Sequence, residues 1–406
     1  LLRRAAELPP GAPEAEVLRR LEELASRNRV SAVSFAGCGS YDHQVPAVVD
    51  ALVGRSEFVT AYTPYQAEMS QGVLQAIFEF QTMVCELCAL EVSNASLYDG
   101  ATAACEAAAM ALGAVRKSRT VLYASTLHPF VKRVLATHFS FLDVELVEVA
   151  ERDGVLDRDD LAHRLGPGVA ALVLQSPNVL GRVEDATGVA ELVHAAGALF
   201  VMSVNPLSLG ILRPPGAWGA DIAVGDGQPL GIPQSFGGPS VGFMAARESL
   251  LRRMPGRIVG QSVDRDGKRA FLLTLQAREQ HIKRERATSN ICSNQALAAL
   301  AMTVHLAVLG PAGLGETAQS CLRKAHYLHD RLVAELPVRD ASPGAFFNEF
   351  TLRPPLAPEK VLERMEGEGF LAGVDLGRID PRREGLLSVA VTERRSRDEM
   401  DRYVAA

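Results

Sequence analysis

Short apolar runs alternate with helix-length amphipathic or alanine-rich stretches from about residue 94 to residue 245. The runs at 120–124, 143–149, 170–175, 199–204, 221–224 and 240–245 read as strands, and most are separated by segments of crossover length. Strands joined in this way predict a mainly parallel sheet covered on both faces, an α/β fold. Asp99-Gly100 opens an alanine-rich helix to about residue 115, and 75–90 reads as a buried helix. Upstream, a helix at 13–28 precedes the Gly/Ser loop 35–43, a helix begun near Pro46, and the polar-aromatic loop 61–68. After about residue 310 the rhythm changes to a helix at 318–336, short strands at 346–352 and 386–390, and helices at 359–368 and 397–404. The pattern predicts an N-terminal arm over 1–56, a large α/β domain over 57–310 and a small C-terminal α+β domain over 311–406.

At 406 residues the chain exceeds what one core usually holds. Its 48% hydrophobic and 22% charged content is that of an ordinary globular protein, and a net charge of −6 with no basic, aromatic-interleaved run argues against a nucleic-acid partner. No apolar run is read as approaching the ~20 residues that span a bilayer, so no membrane is expected. Residues 1–30 lack the apolar core of a signal peptide, and a chain that begins at Leu1 is expected to have its natural start upstream. Cys85-x-x-Cys88 lies inside the expected helix, and no second pair completes a metal site, so the structural reading outweighs a redox or zinc one. Free thiols imply a reducing compartment, here the cytoplasm.

The chemistry turns on a missing group. Gly225-Asp226-Gly227-Gln228-Pro229-Leu230-Gly231 follows the strand at 221–224, and enzymes that hold pyridoxal phosphate on such a scaffold place their Schiff-base lysine in this loop. Gln228 stands there, and no lysine occurs between Lys132 and Lys268. Only six of the 42 basic residues are lysines, so absence alone is weak. An amide forms no imine, however, so the chain by itself should not hold the cofactor covalently. The strand at 199–204 ends in Ser203-Val204-Asn205, without the carboxylate that pairs with a pyridinium nitrogen. Asp99-Gly100-Ala101-Thr102 meets a helix N-terminus, which suits either an anion or a simple cap by Asp99, and that carboxylate would repel a phosphate. His128 could stack on a planar ring or merely flank a helix begun at Pro129. Tyr62-Thr63-Pro64-Tyr65-Gln66 and Ser40-Tyr41-Asp42-His43 are richer in polar groups than a structural role needs. The run 276–285 reads as a solvated helix with pairs such as Glu279–Lys283, whereas Arg286-Ala287-Thr288-Ser289-Asn290 looks built to donate hydrogen bonds.

These residues resemble a known family, the alpha (N-terminal) subunit of two-subunit glycine decarboxylases, the P-protein of the glycine cleavage system. The matching blocks are Gly39 to His43, Arg55 to Gln66, Ser70 to Gly72 with Ile77 to Met83, Tyr98 to Ala103, Asn205 to Gly210, Gly231 to Pro239, Met254 to Gly260, and Asp266 to Ala270 running on to Asn290 to Gln295. Gln44 and Pro229 depart from the pattern, and Cys38 and Cys88 are atypical. The resemblance implies the fold-type-I (aspartate aminotransferase-like) architecture, with the lysine and the pyridoxal phosphate on a separate beta subunit of related fold and the working site at the interface, in an α2β2 assembly. It implies glycine decarboxylation with transfer of the aminomethyl group to the lipoyl group of H-protein. By the fold's logic, Thr288 and Ser289 would reach the phosphate of the partner's cofactor, while His43, Tyr62, Thr63, Tyr65 and Gln66 would line the glycine and lipoyl side. Asp99, Gly100, His128 and Gln228 would then mark a vestigial cofactor pocket. Two readings compete. A homodimeric enzyme would have to use Lys268 or Lys283, which lie in charged runs without the desolvated setting such lysines need. A dead-fold scaffold would have no use for the polar loops at 62–66 and 286–290.

Overall fold

The computed structural model describes residues 8–28, 32–59 and 63–406. Seven strands form the main sheet: β1 (Val92–Ser93), β2 (Thr120–Ala124), β3 (Glu145–Val149), β4 (Val169–Ser176), β5 (Leu199–Val204), β6 (Ile222–Asp226) and β7 (Gly242–Ala246), in the order β1-β7-β6-β5-β4-β2-β3. The five strands β6, β5, β4, β2 and β3 are parallel, and β7 runs antiparallel to both β6 and β1. Side chains alternate between two cores. Phe200, Met202 and Val204 face one, and Val201 faces the other with Ala171 and Val173. Being buried on both faces is what makes these strands near-continuous apolar runs in the sequence.

The alanine-rich helix Gly100–Ala114 lies on the second face, where Ala103, Ala104, Ala107, Ala108 and Ala111 are fully buried. Its small side chains allow close approach. At its N-terminus a Cβ on Gly242 would stand 2.3 Å from the Asp99 carbonyl oxygen, so only glycine fits there. The helix Gln71–Cys88 and the first half of Ala296–Glu335 cover the other face.

Two elements correct the sequence reading. Residues 296–315 contain no Asp, Glu, Lys or Arg, and the helix Ala296–Glu335 is long and apolar enough to cross a membrane, contrary to the expectation that no run reaches that length. It breaks at Gly310 (φ 59°, ψ −178°) before Pro311, and Ala299, Met302 and Leu306 pack into the core under the sheet. The second is a hairpin, Ile258–Val263 with Arg269–Thr274, that the pattern did not suggest. Its buried Val259, Phe271 and Leu273 sit on Leu74 and Ile77. Gln81 and Gln71 each exchange two hydrogen bonds with its backbone, at Val259 and Phe271.

The C-terminal part holds a four-stranded antiparallel sheet in the order Arg339–Asp340, Glu349–Arg353, Leu387–Ala390, Val374–Asp375, with the helices Pro358–Gly367 and Arg397–Ala405. Part of the expected arm is built into it. Val33–Ser34 pairs with Phe370–Leu371, and Phe35 is fully buried against Phe370 and Tyr403. Along the long helix, Cys321 still belongs to the large core and Ala325 to the small one.

Candidate functional site

The parallel strands end at one edge, and there the chain leaves a cleft of about 490 Å³. Asp99, Gly100, His128 and Gln228, drawn from separate loops, all line it. Gln228 is buried and its amide is spent. Nε2 donates to the carbonyls of Tyr41 and Ile232, both at 2.9 Å, and Oε1 accepts from the Tyr41 N–H at 2.9 Å. Gln228 is therefore a rivet between the sheet and the N-terminal segment. Asp99 caps its helix through the Thr102 N–H at 2.7 Å. The Gly100 N–H, the donor a phosphate would use, is taken by Asp226 Oδ2 at 2.9 Å, while Asp226 Oδ1 accepts from the Gln228 N–H at 2.9 Å and from the Ser240 hydroxyl. Sequence reading missed Asp226. Its signal was a second carboxylate next to the helix terminus, legible only once β6 is placed beside Gly100.

His128 follows the capping alternative. It precedes the helix Pro129–Phe139, its Nδ1 accepts from the Phe130 N–H at 3.1 Å, and its Nε2 donates to the Cys38 carbonyl at 3.0 Å. Burial lowers its pKa, which favours the neutral ring. Asn205 follows β5 and receives the Leu207 N–H at 3.0 Å, but its Nδ2 is buried without a partner. No lysine or arginine is among the described residues that line the cleft. Carboxylates hold the helix terminus, an amide stands where the lysine was expected and no cation among the described lining residues answers a phosphate, so this cleft does not fit pyridoxal phosphate.

A second polar centre lies around Arg257, which is 2% exposed. Its Nη2 donates to the Tyr65 hydroxyl at 2.8 Å, its Nη1 stands 3.3 Å from Glu279 Oε2, and its guanidinium lies 4.9 Å from the centre of the Tyr65 ring. The expected solvated Glu279–Lys283 pair does not form. Glu279 is 4% exposed because its loop, a broken series of short turns rather than one helix, folds inward on Arg257. Arg257 thus joins the loop of Tyr65 to the loop that runs on to Thr288 and Ser289, a link with no mark in the sequence. Tyr65, Gln66 and Thr288 are exposed, Thr63 and Ser289 half-buried. Tyr62 lies outside the described residues. Ser289 hydrogen-bonds to Glu106, whose carboxyl is buried on the alanine-rich helix and pushed up to about 7 by desolvation.

His43 does not join Tyr65. It is buried, with Nδ1 2.7 Å from Glu393 Oε2, and its neighbour Asp42 turns instead to Arg394 and Arg395. Cys321 Sγ also donates to Glu393 Oε2, at 3.2 Å. Burial raises the Glu393 carboxyl, but the His43 hydrogen bond and charge outweigh it and hold the group down at about 2.

A family profile described as "Glycine cleavage system P-protein" matches residues 1–406. A protein of Moorella thermoacetica named "Probable glycine dehydrogenase (decarboxylating) subunit 1" is 53% identical over 405 residues, covering 100% of this chain and 91% of its own. One of the same name from Thermomicrobium roseum is 49% identical, covering 98% and 90%. A crystal structure of glycine decarboxylase (P-protein) of the glycine cleavage system, in inhibitor-bound form, superposes with a TM-score of 0.94 at 44% identity, covering 100% of this chain and 91% of that one. An alanine–glyoxylate aminotransferase from Nostoc shares the fold alone, with a TM-score of 0.63 at 18% identity over 92% of this chain and 94% of its own. The architecture is that of fold-type-I pyridoxal-phosphate-dependent transferases, and the chain belongs to the glycine cleavage system P-protein family.

Proposed function

We propose that this chain is the alpha subunit of a heteromeric glycine dehydrogenase (decarboxylating), active in the cytoplasm only when paired with a beta subunit of related fold in an α2β2 assembly. The observation that carries this reading is the cleft, in which Gln228 and Asp226 take up the places a covalently held, phosphorylated cofactor would need. A family member that cannot hold the cofactor must act on one held elsewhere. The partner's pyridoxal phosphate supplies the electron sink for loss of CO2 from glycine, and the aminomethyl group passes to the lipoyl group of H-protein. This chain's part is to complete and enclose the site. Tyr65, held by Arg257, and Gln66 present a phenol and an amide at the surface, and Thr288 presents a hydroxyl that suits the partner's cofactor phosphate, with Ser289 beside it held on Glu106. His43, locked to Glu393, is a positioning element for the 40–44 loop rather than a free base.

The deciding experiment mixes the purified chain with pyridoxal phosphate, with and without a candidate beta subunit, then reduces with borohydride and maps the label by mass spectrometry. The reading expects no label on this chain and a label on the partner's lysine in the mixture. A label on Lys268 or Lys283 would replace it with the homodimeric enzyme.

A further inference from the structure

Away from the cleft, three metal-ligating side chains from distant parts of the chain converge on one point. His43 comes from the 40–44 loop, Cys321 from the long helix Ala296–Glu335, and Glu393 from the segment after the strand Leu387–Ala390. His43 Nδ1 lies 2.7 Å and Cys321 Sγ 3.2 Å from the same oxygen, Glu393 Oε2, and the three ligand atoms all lie within 4.8 Å of one another. Among the described residues, no other three His, Cys, Asp or Glu side chains come together in this way. The carboxylate is turned by its own partners. Its other oxygen, Oε1, accepts from the Gln44 N–H at 2.6 Å, and the Lys324 ammonium donates to the Glu393 main-chain carbonyl, which leaves Oε2 facing the thiol and the imidazole. His43 and Cys321 are buried, but the Glu393 side chain keeps 17% exposure. His43 also lines a surface hollow of about 240 Å³ with Asp42, Gln44 and Arg394, which gives a route from solvent. Beside the three lies His305, 4% exposed, with Nδ1 buried and unpartnered and close enough to feel the charge of both His43 and Glu393.

We propose that His43, Cys321 and Glu393 form a zinc site that ties the 40–44 loop and the small C-terminal sheet to the long helix, with His305 as the spare fourth donor. The donor set selects the metal: imidazole, thiolate and carboxylate are zinc ligands, whereas Mg2+ and Ca2+ take oxygen alone. Bond lengths of about 2.0 Å to nitrogen or oxygen and about 2.3 Å to sulfur set tetrahedral donors roughly 3.3 Å (N···O) and roughly 3.5 Å (S···O) apart. The separations of 2.7 and 3.2 Å fall short of these by roughly 0.3–0.6 Å, a gap that small side-chain rotations open. Charge balances as well, because a buried dication meets one carboxylate and one thiolate. On binding, the thiol releases its proton to solvent, the imidazole stays neutral with its proton on Nε2, and the metal replaces the hydrogen bonds that join the three groups. Nothing here involves the partner's cofactor, so the proposal stands apart from the reading above.

The test strips the full chain with a chelator, without partner or pyridoxal phosphate, and titrates it with Co2+, whose bond to a thiolate gives a strong near-ultraviolet charge-transfer band. Zn2+ is then added in competition. Cys292, an exposed thiol, is replaced by serine in every sample so that it cannot supply the band. The expected result is a saturable band at one Co2+ per chain, displaced by one equivalent of Zn2+ and lost in Cys321→Ala. Zn2+ affinity should fall by roughly tenfold or more in Glu393→Gln and in His43→Gln. Absence of a saturable band overturns the proposal, as does a band that persists in Cys321→Ala, or Zn2+ affinity undiminished in both other variants. Each variant is checked by circular dichroism and thermal melting, and should one fail to fold, the other two decide. A chain that gives no cobalt band while the borohydride label lands on the partner's lysine would sink this inference and leave the proposed function intact.

Discussion

Replacing Arg257 by methionine isolates the buried ion pair that joins the two polar loops. Methionine keeps much of the side-chain volume but removes the guanidinium from Glu279, which is 4% exposed. Breaking a buried pair from one side costs about 3–5 kcal/mol, and losing the hydrogen bond and ring contact to Tyr65 adds about 1–2 kcal/mol. Proton uptake by Glu279 limits the loss. Burial already pushes this carboxyl up against the pull of Arg257, and without Arg257 its pKa rises further. A raised carboxyl pKa gives stability that is present at low pH and lost as pH rises through the folded value. The destabilisation of Arg257→Met should therefore be about 1–2 kcal/mol near pH 5, from the Tyr65 contacts, and rise to about 4–7 kcal/mol near pH 8. Adding Glu279→Gln should recover part of it, because the second change removes the stranded charge. Urea denaturation of the purified chain at several pH values measures all three variants. A cost below about 1 kcal/mol at pH 8, or one independent of pH, would refute the reasoning that Glu279 depends on Arg257.

Gln228→Lys supplies an amine but not a cofactor site: the Asp226 carboxylate still holds the Gly100 N–H, and no cation among the described lining residues awaits a phosphate. The variant should take no borohydride-trapped label, and a stoichiometric label at position 228 would overturn the account of the cleft. It should also be less stable by about 1–3 kcal/mol, because an ammonium cannot accept from the Tyr41 N–H. Thr288→Val should raise the apparent pyridoxal phosphate dissociation constant of the complex while leaving the thermal midpoint of the isolated chain unchanged, and an equal constant would remove Thr288 from the site. For Glu106, the folded pKa of about 7 lies above the ordinary 4.5, so stability is lost as pH rises through that window. Glu106→Gln should stabilise the chain by about 1–3 kcal/mol at pH 8 and by little at pH 4, and the reverse order would contradict the burial argument.

The parallel sheet was legible because a strand buried on both faces cannot avoid an apolar run, and the runs at 120–124 and 199–204 coincide with β2 and β5. The hairpin at 258–274 was not, since one of its faces is solvated and its backbone is held by Gln71 and Gln81 from 200 and 178 residues away. The helix at 296–335 hid a membrane-length apolar stretch, because a helix packed on a sheet and a helix packed in lipid bury the same side chains. Glu279 looked like half of a surface i,i+4 pair, and only the burial of Arg257 under the Tyr65 loop turned it inward.

By itself the sequence determined the α/β class, the family and the absence of a lysine in the 225–231 loop, all of which rest on residue identity and local period. Only the tertiary structure decided how the residues at the cleft are held. Gln228 became a tie between distant segments, Asp226 came to sit on the Gly100 N–H 126 residues away, and Arg257 came to join two loops. Such pairings follow from how the sheet brings its strand ends together, and a desolvated polar group takes whichever partner that edge supplies.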